Sequence, residues 1–230
     1  MRRVFTASTA AAYQGSRLWL VTMFRLIVFW LMAWSLCPGG VWASGAAPAS
    51  SSLGRAPAVA RPGMSLPVRT LAGQRQNLAG RPGWKVIYFW SATCPCVRAC
   101  ESFTFTPLAQ RYKSRVSFFA VASDGYDLAL SHGALSRQIQ SRKLPFPVLL
   151  DEGHLAAQAL GARVTPQAFL LDPHDRVVFA GVPDDSRRYQ SRTGHWGVSK
   201  TYLAQAIAQA LAGRPVTALR VKDQGCIIAW

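Results

Sequence analysis

Trp84-Lys-Val-Ile-Tyr-Phe-Trp90, running directly into Ser91-Ala92-Thr93-Cys94-Pro95-Cys96, is the stretch on which the reading turns. A continuous apolar and aromatic run of this length reads as a strand buried on both faces at the centre of a sheet. It empties into Cys94, and Pro95 suits the first turn of a short helix. A thiol at a strand-to-helix junction sees the positive end of the helix and free backbone N–H groups, and both favour thiolate over thiol. The thiolate is the nucleophile of disulfide exchange and of peroxide reduction. Cys94 is therefore the candidate nucleophile.

Downstream the pattern alternates. Thr106-Pro107 reads as a cap plus first-turn proline opening a helix to about Tyr112. Val116 to Ala122 is a second buried strand, ended by Asp124-Gly125, and a helix from about Asp127 to Arg142 follows. Pro147 to Leu150 is a third strand, and His154 to Leu160 a short helix stopped by Gly161. Ala168 to Asp172 and Arg176 to Ala180 form a hairpin around Asp172-Pro-His-Asp. Ser199 to Ala212 is an amphipathic helix with Leu203, Ile207, Ala210 and Leu211 on one face, closed by Gly213. Early alternation demands parallel strands with crossover helices, and the hairpin adds antiparallel strands to the same sheet. Upstream, Leu66 to Gly73 reads as a short strand with a turn.

Further out lies a leader. Leu26 to Leu36 is apolar, preceded by Arg25 and followed by Val41-Trp42-Ala43, the layout of a secretory signal cleaved after Ala43. The run of about 11 residues falls short of the roughly 20 a membrane span needs. An uncleaved anchor over residues 18–36 is the second reading. Residues 44–66 are a Ser-, Ala-, Gly- and Pro-rich linker, residues 67–218 the folded domain, and residues 219–230 a tail bearing Cys226. The protein is expected to be exported, periplasmic or extracytoplasmic, with membrane contact only through its N-terminal segment. The net charge of +16 comes from 26 basic and 10 acidic residues. With no Lys/Arg run and no basic stripe at helical spacing, no nucleic-acid partner is expected.

Removing the leader takes Cys37 and leaves Cys94, Cys96, Cys100 and Cys226. Three thiols within seven residues do not suit a disulfide-stapled scaffold. The chain here resembles the thioredoxin superfamily, specifically its redoxin branch, loosely related to peroxiredoxins. The resemblance covers roughly residues 66–230. It rests on Phe89-Trp90-Ser-Ala-Thr-Cys94-Pro95, on Thr165-Pro166 before the Ala168 strand, on Asp184-Asp185, and on Leu203 to Gly213 followed by Gly225-Cys226. It implies an α/β fold with a mixed central sheet and flanking helices. It also implies a cis Pro166, and a substrate groove drawn from Trp90, Ser91, Thr93, Pro95, Thr165 and Pro166. Its enzymes act on protein disulfides or hydroperoxides, draw electrons from an external thiol reductant, and need no cofactor.

The departures leave the reaction open. Thioredoxins carry a second cysteine three after the first, where Val97 stands here, and a buried acid at the position of Tyr88. Peroxiredoxins carry a threonine three before the cysteine and a proline seven before, where this chain has Ser91 and Ile87. Cys96 and Cys226 are both candidates to resolve Cys94. A Cys94–Cys96 bond closes a small strained ring, whereas a tail thiol after Gly225 can swing onto the nucleophile, as in some peroxiredoxins. The alternative function is copper delivery by Cys94, Cys96 and Cys100 with a distant histidine, since soft thiolates suit Cu(I). Cleavage after Ala43 predicts that the exported form begins at Ser44. N-terminal sequencing checks this, and an intact Met1 or Met23 would mean an anchor.

Overall fold

The computed structural model describes residues 64–217, 220–221 and 224–230. The leader with its cleavage site, Cys37, the anchor reading and nearly all of the 44–66 linker lie outside the described residues. Among the described residues, no helix is long and apolar enough to cross a membrane.

In chain order the elements begin with β1 (Pro67–Arg69), β2 (Arg75–Asn77), β3 (Trp84–Trp90) and α1 (Pro95–Cys100). A π-helical turn (Glu101–Phe105) leads into α2 (Thr106–Tyr112), then β4 (Val116–Ala122), α3 (Gly125–Leu128) and α4 (His132–Arg142). Next come β5 (Val148–Leu150), α5 (Leu155–Leu160), β6 (Val164–Thr165), β7 (Gln167–Leu171) and β8 (Val177–Gly181). The chain closes with α6 (Ser186–Thr193), α7 (Tyr202–Leu211), β9 (Arg220–Val221) and β10 (Cys226–Ile227).

The main sheet runs β2-β1-β5-β4-β3-β7-β8-β9, and β10 pairs with β6 in a separate two-stranded sheet. Strand β3 is parallel to β4 over its whole length and antiparallel to β7 on its other edge. Its side chains alternate as a pleat requires. Val86, Tyr88 and Trp90 enter the core cluster that includes Val97, Phe105 and Ile207, while Ile87 and Phe89 enter the one that includes Leu149, Ala157 and Ile228. Both faces of the strand are buried, so a solid apolar run in sequence becomes a central strand in space.

The structure departs from the sequence reading where local hydrogen bonding decides. The helix expected over 127–142 is two helices. Asp124 caps α3 by accepting from the Tyr126 N–H, and Ser131 caps α4 by accepting from the Ala134 N–H. A second cap inside the run offers the backbone a way out of the first helix. Thr106 is not a cap: it is helical, and the chain is helical from Pro95 through Tyr112. Pro107 has no N–H for the carbonyl four residues back, and the π turn before it, with the Thr106 N–H on the Glu101 carbonyl, makes room for its ring. The final helix starts at Tyr202 rather than Ser199, because the Ser199 and Lys200 N–H groups bind the Asp185 carboxylate.

Phe105, in that π turn, stacks on Tyr88 with ring centroids 3.6 Å apart, and both side chains are wholly buried. Phe105→Ala is expected to cost about 3–5 kcal/mol. The check is a lower urea midpoint at unchanged slope.

Candidate functional site

The loop carrying Cys94 is held by charged side chains from three other elements. Cys94 is the N-cap of α1, in an extended conformation, with Pro95 in the first turn. Two residues earlier, the Ala92 N–H donates to Asp127 Oδ2 at 3.0 Å, and its carbonyl accepts from Arg142 Nη2. Asp127 belongs to α3 and Arg142 ends α4. Arg142 also pairs with Glu101 of the π turn, whose other oxygen accepts from the Trp90 indole N–H at 2.6 Å. The guanidinium lies over the Trp90 ring, 5.8 Å from its centroid. The two peptide groups that flank Ala92 are thus gripped one on each side, which fixes where the chain turns into α1.

This corrects part of the expected groove. Trp90, Ser91 and Thr165 are fully buried and Pro166 is buried too, so with the tail in place none of them touches an outside molecule. Trp90 closes the central strand and spends its N–H on Glu101, and the Ser91 hydroxyl lies 3.2 Å from that of Thr93. Thr93 and Pro95 are exposed and flank Cys94.

The Thr165–Pro166 peptide bond is cis. The Thr165 carbonyl oxygen lies 3.3 Å from Cys94 Sγ. Cys94 is joined to Cys226 by a disulfide across 132 residues of sequence, with Cα atoms 6.1 Å apart. A disulfide sulfur carries no proton, so the 3.3 Å approach is a contact here. In the dithiol the same geometry lets S–H donate to the carbonyl. Cys226 sits on β10, antiparallel to β6 in the register Cys226↔Thr165 and Ile227↔Val164. Beyond it the Ile228 N–H donates to the Arg163 carbonyl at 3.0 Å, and the Ala229 carbonyl accepts from the Gly125 N–H at 2.8 Å. Trp230 meets His154 edge-on at 5.1 Å. The tail lies on the domain, beside the cysteine loop.

The other thiols part company. The sulfurs of Cys94, Cys96 and Cys226 all lie within 4.8 Å of one another. Cys100 turns away, its thiol donating to Asp184 Oδ1 at 3.3 Å with the Ser186 hydroxyl at 3.5 Å. The thiol trio that could hold a metal is therefore not the expected Cys94, Cys96 and Cys100, and no histidine joins it among the described residues. Burial pushes the Cys96 thiol up, partly opposed by Arg187. Burial, with the Asp184 carboxylate beside it, pushes Cys100 well up. Both are thereby favoured as thiols over thiolates, and Cys94 and Cys226 are the pair joined in the structure. Burial also pushes the Tyr88 phenol well up, so it stands at the thioredoxin acid's position as a neutral group.

Asp127, Glu101 and Arg142 escaped the sequence reading as parts of the site, and Asp184 entered it only as part of the resemblance. In a chain with ten acidic residues, an acid inside a predicted helix or strand-to-helix turn was the available signal.

A mixed sheet whose central strand ends in a cysteine facing a cis proline defines a thioredoxin-like thiol protein. Residues 50–194 match the Redoxin family, and the chain belongs to that family. Two solved structures share the fold at TM-score 0.64. A hypothetical protein from Sinorhizobium meliloti 1021 is 24% identical, with 76% of this chain and 94% of that one covered. An uncharacterized conserved protein from Geobacillus kaustophilus is 26% identical, with 76% and 92% covered. No curated protein matches the chain. Family and site together give it a thiol redox function.

Burial pushes the Asp127 carboxyl up, against hydrogen bonds from Ser91 and the Ala92 N–H. An acid with a raised folded pKa stabilises the fold fully below its unfolded pKa of about 3.9 and loses that contribution as pH rises through the folded value. Asp127→Asn keeps an oxygen for the Ala92 N–H and removes the titration. Urea midpoints should therefore fall for the wild type relative to Asp127→Asn as pH is raised from about 4 to about 7. Parallel profiles would mean Asp127 does not titrate in that range.

Proposed function

We propose that the chain is an exported thiol–disulfide oxidoreductase in which Cys94 attacks the substrate and Cys226 resolves the product. The observation that carries this reading is the Cys94–Cys226 bond, made at the start of α1 and against the Thr165 carbonyl. In the reduced protein the Cys94 thiolate attacks one sulfur of a protein disulfide, and the partner sulfur leaves as a thiolate and takes up a proton. Cys226 then attacks Cys94, a new S–S bond forms, and the second substrate thiol departs. An external thiol reductant restores the dithiol with two electrons and two protons. With a hydroperoxide as oxidant, Cys94 would become a sulfenic acid that Cys226 condenses to the same disulfide with loss of water. Arg142 is committed to Glu101 and the Ala92 carbonyl, which weighs toward disulfide exchange, while Arg187, whose charge acts on Cys96, is the guanidinium left near the thiols. Cys96, protonated and within 4.8 Å of both partners, is the reserve thiol.

The thiol trio favours a second reading: in the reduced state, Cys94, Cys96 and Cys226 bind a soft cation such as Cu(I). An anaerobic Cu(I) titration of the reduced protein separates the two, because a carrier holds one ion per chain while an oxidoreductase turns over without it.

The deciding assay is reduction of a protein disulfide, run beside hydrogen peroxide consumption. Cys94→Ser is expected to fall to background in both. A tethered thiol acts at about millimolar effective concentration, so Cys226→Ser with about 10 μM outside thiol should turn over roughly 100-fold more slowly. It should also accumulate a mixed disulfide on Cys94, detected by mass. Wild-type turnover in Cys226→Ser would remove the resolving role.

A further inference from the structure

Both joined cysteines hang from one short segment of the chain. Residues 123–127 lead from the end of β4 into α3, and they reach the two cysteines separately. Asp127 Oδ2 accepts from the Ala92 N–H, two residues before Cys94. The Gly125 N–H donates to the Ala229 carbonyl at 2.8 Å, three residues after Cys226. The Ser123 carbonyl accepts from His154 Nδ1 at 2.8 Å, and the His154 ring meets Trp230 edge-on. Apart from these contacts, Ile228 buries its side chain, and β10 pairs with β6 over two residues only. A pairing that short has little stability of its own.

What glycine supplies at position 125 is room. Gly125 is not among the residues with positive φ, so its backbone does not call for glycine. A Cβ there would stand 3.0 Å from the Ala229 oxygen and 3.6 Å from its carbon. Both are backbone atoms, so a side chain would push the tail outward and lengthen the hydrogen bond that holds it.

We propose that Gly125 is the positioning residue for the resolving step: it seats the tail on the same segment that grips the nucleophile loop. This rests on Cys226 resolving Cys94. Two tethered groups react well to the extent that their relative placement is restricted. Hung from separate elements, the two sulfurs would carry the independent motions of each. Hung from residues 123–127, they share one frame.

The test measures how strongly the tail thiol is presented to Cys94. Reduced full-length protein is equilibrated without oxygen in glutathione buffers. One oxidised glutathione takes two electrons and two protons from Cys94 and Cys226, becoming two reduced glutathiones as their S–S bond forms. The Cys94–Cys226 form is counted by mass mapping after acid quenching, which gives the effective concentration of one thiol at the other. Gly125→Pro removes the N–H and fills the notch. Proline suits the first position of a helix, and Asp124 already has the extended backbone, φ −73° and ψ 125°, that a following proline requires. Gly125→Pro should lower the effective concentration at least about tenfold, equivalent to about 1.4 kcal/mol. Gly125→Ala should fall between it and the wild type. In a Cys226→Ser background, neither substitution should change the rate at which iodoacetamide alkylates Cys94, whereas damage to the cysteine loop would. An unchanged effective concentration in Gly125→Pro overturns the inference, and so does a loss accompanied by a changed Cys94 rate. If Gly125→Pro does not fold, Gly125→Ala decides by the same two readouts. A wild-type protein that forms no Cys94–Cys226 bond at any glutathione ratio overturns the resolving role itself, and the inference with it.

Discussion

A strand buried on both faces has to satisfy its backbone on both edges, and β3 is where this molecule meets that constraint. Water cannot reach its amides, so parallel β4 on one side and antiparallel β7 on the other must serve them. Parallel pairing forces a crossover, which is why a helical run from Pro95 to Tyr112 follows directly. The strand must therefore end in a turn straight into a helix, and Cys94 occupies that turn. Antiparallel β7 enters from the opposite direction, so its first residues, behind the cis Pro166, arrive at the same end of the sheet. The meeting of Cys94 and the cis proline follows from how the central strand is paired.

The acids show a second economy. Seven of the ten acidic residues are buried, leaving few on the surface to offset its arginines and lysines. The buried aspartates hold main-chain N–H groups: Asp124 that of Tyr126, Asp127 that of Ala92, Asp184 that of Ser186, and Asp185 those of Ser199 and Lys200. Asp151 takes those of Ala156 and Ala157 at the start of α5. A carboxylate accepting from backbone N–H groups makes a strong, charge-assisted hydrogen bond. These bonds set the loops around the site, where apolar packing alone would leave them free.

The parts that the sequence made legible are those governed by periodicity. The solid runs at Trp84–Trp90 and Val116–Ala122 became β3 and β4 with the same bounds, and the Asp172 hairpin joins β7 to β8. Strands of two or three residues, such as β2, β6 and β10, carry too few positions for a period to show. Helix α6, Ser-Arg-Arg-Tyr-Gln-Ser-Arg-Thr, has no apolar stripe to announce it. At the site, Cys94 was legible because a single residue at a junction suffices to mark it. The grip of Asp127 and Arg142 on Ala92 was not, since it joins residues 35 and 50 positions apart through side-chain reach alone. Trp90 and Ser91 were misplaced for a related reason: nearness to Cys94 in sequence does not say which way a side chain points in a pleat.

The disulfide has a mechanical consequence. It closes a loop that spans 132 residues of sequence, from the start of α1 to β10. Stretched out at about 3.4 Å per residue, that loop would supply roughly 450 Å of contour length. While the bond stands, tension between the chain ends passes through the two sulfurs, and that length is withheld from extension. Reduction releases it, so the distance over which this chain can be drawn out under load depends on whether Cys94 and Cys226 are joined.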